Sequence, residues 1–207
     1  MRIAITGSAG SGKTTLGHAL AERLNIAFLD DGLRRRIEAG LVFHKLDRAA
    51  RKILLEELAR ENQAELALAE RMHGGGVIER CSLDFMALWL YHGLVDDDAQ
   101  TAAMMRQTVR DMAGYDAVIV LPWGVLPLID DGVRAANRWV QLHFHALLKG
   151  LLLAHGDANK ILYVPDATRR SQDRLNWVTG QLVNLPTRAH GAAPQLTKPF
   201  DGKATPS

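Results

Sequence analysis

Residues 2–15, Arg2-Ile3-Ala4-Ile5-Thr6-Gly7-Ser8-Ala9-Gly10-Ser11-Gly12-Lys13-Thr14-Thr15, decide the fold of this 207-residue chain. A short apolar strand runs into Gly7–Thr14, which has the spacing G-x-x-x-x-G-K-[ST], and a helical pattern follows from Thr14 to Leu24. Glycines let the backbone turn tightly and aim successive N–H groups into a concave anion nest. The helix that follows adds the positive end of its dipole. A lysine at position 13 reaches β- and γ-phosphates, and a threonine hydroxyl at position 14 suits Mg²⁺. A chance glycine-rich turn is the alternative, but such a turn need not lie between a strand and a helix. Gly7, Ser8, Ala9, Gly10, Ser11, Gly12, Lys13, Thr14 and Thr15 are therefore expected to cradle the phosphates of ATP.

Outward from this loop, short apolar runs alternate with helical stretches, the pattern of an α/β protein with a buried parallel sheet. Strands are predicted at Arg2–Thr6, Ile26–Leu29, from Val77, at Ala117–Leu121 and at Ile161–Val164. Helices are predicted at Thr14–Leu24, Gly32–Ala39, Asp47–Met72, Leu83–Tyr91, from Asp96 to Met112, at Ala135–Ala154 and at Arg169–Leu182. The stretch from Asp47 would span about 39 Å as one helix, and its continuity is open. Residues 1–184 form one domain in this reading. The remainder, with four of the seven prolines (Pro186, Pro194, Pro199, Pro206), reads as a flexible tail.

Composition is that of an ordinary globular chain: 47% hydrophobic and 23% charged, which argues against disorder. A net charge of +2 gives no indication of a nucleic-acid partner. One cysteine, Cys81, excludes an internal disulfide and fits a reducing compartment. Apolar runs fall short of a membrane span, and the N-terminus lacks the long apolar stretch of a signal peptide. A soluble cytoplasmic protein is the expectation. The eight histidines show no metal-ligand spacing.

A second acidic group should help hold Mg²⁺ from the end of a strand beside the first. The strand Ala117–Leu121 ends in Pro122, whereas Val77-Ile78 ends in Glu79-Arg80, so Glu79 is the candidate metal and catalytic carboxylate. Asp84 is the alternative. A solvated carboxylate at a strand end is the bland reading of Glu79, and a salt bridge to Glu79 or Asp84 that of Arg80; otherwise Arg80 approaches acceptor or phosphate. Asn159-Lys160-Ile161-Leu162 lacks the aspartate of the guanine-reading motif, which favours ATP.

Residues 2–39 resemble the opening of the nucleoside monophosphate kinases, cytidylate kinase especially, and of shikimate-type kinases. The shared features are the phosphate loop, Ala21-Glu22-Arg23-Leu24 and Phe28-Leu29-Asp30-Asp31-Gly32. Beyond them the Gly-Arg-Asp motif of cytidylate kinase is missing. Ile78–Asp84, Tyr115–Pro122 and Asp130–Arg134 instead resemble the AAA-type ATPase/kinase domain that forms the nicotinamide riboside kinase part of the bacterial NAD regulator. This resemblance spans roughly residues 1–182 and implies a P-loop NTPase fold of kinase type: a five-stranded parallel sheet, helices on both faces, and a lid. The resemblance of residues 2–39 to the nucleoside monophosphate and shikimate-type kinases implies that Asp30 or Asp31, with Arg34, Arg35 or Arg36, meets the phosphate acceptor, and in such kinases the loop after the fourth strand leads into the lid.

Arg134 and Arg138 stand one helical turn apart in this reading and are candidates to neutralise charge on the transferring phosphoryl group; two surface arginines are the alternative. Asp30 or Asp31 either takes or orients the acceptor's hydroxyl proton, or caps the helix near Leu33. Trp123 is a candidate wall of the acceptor pocket, and Trp89, Trp139 and Trp177 are read as core or lid packing. A kinase should show an acceptor cavity bounded by Asp30, Arg34, Glu79 and Trp123. The expected function is Mg²⁺-dependent transfer of the ATP γ-phosphoryl to a small molecule of nucleoside or nucleotide type. An ATPase switch or a nucleotide-gated module is the alternative.

Overall fold

The computed structural model describes residues 1–96, 99–127 and 137–185. Five strands form one sheet: β1 (Arg2–Thr6), β2 (Ala27–Leu29), β3 (Gly76–Glu79), β4 (Ala117–Val120) and β5 (Ile161–Tyr163). All pairings are parallel, and the order is β2-β3-β1-β4-β5. Ile5 lies opposite Glu79 on one side and Ile119 on the other, so β1 occupies the centre.

Alternation along the strands assigns side chains to two cores. Ile3, Ile5, Val77, Ala117, Ile119 and Leu121 pack beneath α1 (Lys13–Leu24) and α7 (Ser171–Val183). Ala4, Ile78, Val118 and Val120 belong to the opposite core. That core holds residues of α3 (Arg48–His73), α4 (Ser82–Tyr91), α5 (Ala99–Met112) and α6 (Arg138–His155). The short α2 (Gly32–Glu38) leans on α3. The predicted layered sheet is the observed one.

Helix limits follow local chemistry. α3 is one continuous helix of 26 residues, opened by the Asp47 carboxylate on Ala50 N–H and closed at Gly74 with φ 71°. α4 is buried along almost its whole length, as its unbroken apolar run predicts. α6 begins three residues later than expected, because the Asn137 side chain accepts from Trp139 and Val140 N–H and caps it there. Arg138 is thus the first residue of α6. Arg134, Asp130, Asp131 and the predicted tail from 186 onward lie outside the described residues. Among the described residues no helix is long and apolar enough to cross a membrane.

Candidate active site

The carboxyl ends of the strands around β1 carry the site, the usual location of a ligand crevice in an open parallel sheet. The loop from Gly7 to Gly12 joins β1 to α1 with φ values of 139° at Gly7, 73° at Gly10 and 92° at Gly12. A side chain at Gly7 would also meet the Leu121 carbonyl at 3.0 Å. These glycines are therefore required by the path of the chain. Lys13 is 4% exposed and reaches back so that Nζ donates to the carbonyls of Gly7 (3.0 Å) and Ser8 (2.9 Å). Thr14 is half-buried and Thr15 exposed at the start of α1.

Two residues that sequence reasoning missed hold this loop. Gln141 of α6 accepts from Ala9 N–H at 2.9 Å. Arg174 of α7 donates from Nη1 to the Ser11 carbonyl at 2.7 Å. Neither carries a motif; both reach the loop only through helix packing.

β3 delivers the acidic side of the site. Glu79 is 1% exposed, and among the described residues neither carboxyl oxygen has a hydrogen-bond partner. Arg80 follows with φ 70°, an uncommon conformation for a bulky residue. Its N–H donates to the Ile5 carbonyl, and Asn62 Nδ2 donates to its carbonyl at 3.1 Å, so the strained turn is fixed from two sides. Its guanidinium donates to Asp31 from Nε at 2.6 Å and to Asp84 from Nη1 at 3.4 Å.

The two carboxyls respond oppositely. Burial alone would raise Asp31, but the Arg80 guanidinium, with help from Lys13 and the Leu33 N–H, holds it below the usual carboxylate range. Asp84 is raised: burial outweighs Arg80, the Thr6 hydroxyl and the Cys81 N–H. Asp84 is committed to structure. It accepts from Thr6 Oγ1 on β1 and from the Cys81 N–H that opens α4. This leaves Glu79 as the carboxyl free to meet a ligand. A buried carboxyl with two unpartnered oxygens beside a phosphate loop fits a divalent cation, as does the Thr14 hydroxyl.

Other predicted residues separate. Asp31 caps α2, accepting from Leu33 N–H at 3.0 Å. Asp30 is half-exposed and pairs with Arg35 at 3.2 Å. The arginine run faces carboxylates: Arg34 pairs with Glu38, Arg35 also with Glu65, and Arg36 with Glu61. Trp123 and Asp30 line separate cavities. Trp123 lines a cavity of about 260 Å³ with residues 8–11 of the phosphate loop, Leu126 and Arg138. The Arg138 guanidinium lies 5.8 Å from the Trp123 ring and 5.0 Å from that of Trp139. Trp139 is 64% exposed, so it is not a core residue; Trp89 is buried in the core. Asp30 instead lines a narrow crevice with Arg35, Glu61, Asn62, Glu65 and Phe85. His143 is exposed and His145 buried, on different sides of α6. Cys81 is buried, and burial pushes its thiol well up, which makes it a poor nucleophile.

Against known proteins, a family described as an AAA domain matches residues 2–175. No curated protein matches the chain. Among solved structures, the NadR protein in complex with NR superposes with a TM-score of 0.66 at 16% identity, over 93% of this chain and 52% of that one. This chain therefore spans about half the length of that protein. Deoxyadenosine kinase from M. mycoides, with dCMP and dCDP bound, gives 0.62 at 12% identity, over 89% of this chain and 100% of that one. Thymidylate kinase from Ehrlichia chaffeensis gives 0.57 at 17% identity, over 89% and 97%. At these identities the likeness is one of fold: the chain has the α/β P-loop fold these proteins share.

Proposed function

The chain belongs to the AAA domain family, and on that premise we propose that it is an ATP-dependent kinase that phosphorylates a hydroxyl of a small molecule of nucleoside type. The observation that carries this reading is Glu79, buried beside the phosphate loop with both carboxyl oxygens unpartnered. Its carboxyl lone pairs are thereby left available for a cation. Glu79 and Thr14 would hold Mg²⁺, which when bound neutralises charge on the β- and γ-phosphates.

The chain's own groups divide the remaining work. Residues 7–13 bind the triphosphate through backbone N–H groups and the Lys13 ammonium. Asp31 lies within electrostatic reach of Lys13, and its lowered pKa keeps it ionised at neutral pH. Its oxygens already accept from Leu33 and Arg80, and each retains a second lone pair. It therefore accepts the hydrogen bond of the acceptor hydroxyl and orients that oxygen at the γ-phosphorus. The new O–P bond forms as the bond to the bridging oxygen of ADP breaks, and the hydroxyl proton passes to the Asp31 carboxylate and from there to solvent. In so loose a transition state, positioning and charge neutralisation supply most of the rate. Arg138, at the mouth of the phosphate cavity, neutralises the transferring group.

The crevice beside Asp30 supports an acceptor without a phosphate. Arg35 and Arg36 are already matched by Asp30, Glu61 and Glu65. A monophosphate would meet carboxylates there, whereas ribose hydroxyls would find acceptors. Entry of a nucleoside requires α2 to move away from α3, since the crevice is barely wider than a water molecule.

The test is ADP release from Mg-ATP across nucleosides, nucleoside monophosphates and small polyols, with Lys13→Ala as control. Stimulation by a nucleoside, lost in the control, is the expected result. Stimulation by monophosphates alone overturns the acceptor class but not the kinase. Slow turnover that needs Lys13 and ignores every acceptor identifies an ATPase or a nucleotide-gated module instead.

A further inference from the structure

Arg174 is 3% exposed, yet no carboxylate among the described residues pairs with it. Nε donates to the Thr168 carbonyl at 2.8 Å and Nη1 to the Ser11 carbonyl at 2.7 Å, while Nη2 has no hydrogen-bond partner among the described residues. Burial pushes its pKa below the ordinary arginine value, but a guanidinium remains protonated at neutral pH. An isolated buried cation is costly, and two neutral carbonyls do not cancel a full charge.

Its location suggests what does. Nη1 lies 3.1 Å from where a side chain on Gly12 would begin, directly behind the phosphate loop. The peptide joining Ser11 to Gly12 is planar and trans, so its C=O and N–H point in opposite directions. Holding the Ser11 carbonyl toward α7 therefore turns the Gly12 N–H away from α7. That N–H belongs to the run of donors that cradles phosphates in such loops.

We propose that Arg174 is a positioning residue for nucleoside polyphosphates, fixing the Ser11–Gly12 peptide and placing a permanent positive charge behind the phosphate loop. This rests on the nucleotide-binding reading above. The effect acts on phosphates rather than on the base, although the same side chain also ties down the turn at Thr168.

The test measures binding of ATP and of inorganic tripolyphosphate to the full chain and to Arg174→Met, Arg174→Gln and Arg174→Lys, with ligand-free melting as the fold check. Arg174→Met is expected to weaken both ligands about tenfold or more, close to 1.4 kcal/mol. Arg174→Gln behaves similarly, whereas Arg174→Lys retains most of the affinity. In turnover, the KM for ATP rises while that for the acceptor stays constant. Unchanged binding in the Met variant overturns the proposal. So does loss of ATP with tripolyphosphate unaffected, which would locate the role at the base-side turn. Wild-type protein that binds ATP but not tripolyphosphate overturns it as well. Should the Met variant not fold, equal affinities of the Gln and Lys variants are the overturning result. Wild-type protein that binds neither ligand refutes the nucleotide-binding reading itself, and the proposal with it.

Discussion

Asp31 and Arg80, 49 positions apart in the chain, close a buried ion pair at 2.6 Å across the carboxyl ends of β2 and β3. The side chains are 2% and 11% exposed. The pair joins the cap of α2 to a strained strand end and keeps both charges at the edge of the phosphate site. One residue thus does two structural jobs: Asp31 caps α2 and pairs with Arg80.

Breaking this pair should cost stability, because it strands a buried charge. Asp31→Asn keeps the cap, since asparagine caps as well as aspartate. Its loss is therefore electrostatic, about 2–3 kcal/mol by denaturant titration. Combined with Arg80→Met, a double-mutant cycle should return a coupling of about 1–3 kcal/mol. Additive losses would show that the pair is not coupled.

Glu79→Gln should move stability and turnover in opposite directions. Removing a buried, unpartnered carboxyl is expected to raise the ligand-free melting temperature, by the equivalent of about 1 kcal/mol. Mg-ATP turnover should fall about 10²-fold or more, the usual cost of losing a group that stabilises transition-state charge. A variant that melts lower and turns over normally would assign Glu79 to the scaffold.

Arg138→Ala should act on the chemical step. Its guanidinium edges the phosphate cavity and stacks near Trp123. A kcat about 10²-fold lower with little change in KM for ATP is expected, and Arg138→Lys should restore only part of it. Trp123 reports on the same cavity, so its fluorescence should change on ATP addition in wild-type protein.

His92 makes the fold acid-sensitive. Burial, with Arg51 nearby, holds its imidazole down to about 4, against an ordinary 6.5. The neutral form is therefore favoured in the folded chain. Its contribution is fully present above pH 6.5 and is lost as pH falls toward 4, up to about 2 kcal/mol after allowing for partial exposure. Urea midpoints measured from pH 7 to pH 4 should show this slope, and His92→Gln should flatten it.

Local patterns made most of the fold legible. β1 has the predicted bounds, α3 follows its apolar spacing, and the three glycines of the phosphate loop have positive φ as their motif requires. The place of Glu79 at the end of β3 was legible too, because a carboxylate ending an apolar strand is a local feature. Arg34 and Trp123 were harder. Whether an arginine faces an acceptor or the Glu38 one turn away depends on rotamer and neighbours, and Trp123 takes its cavity from α6.

The sequence by itself determined the phosphate loop, the parallel α/β order and the residues eligible for chemistry, since each rests on contacts within a few positions. Tertiary structure alone decided their duties. It turned Asp84 inward to Thr6 and Cys81, left Glu79 without a hydrogen-bond partner among the described residues, matched Arg35 and Arg36 to α3, and brought Gln141 and Arg174 to the loop. Those outcomes depend on which distant groups share a low-dielectric space, where an unpaired charge or donor is costly. A linear sequence carries the charges but not the distances between them.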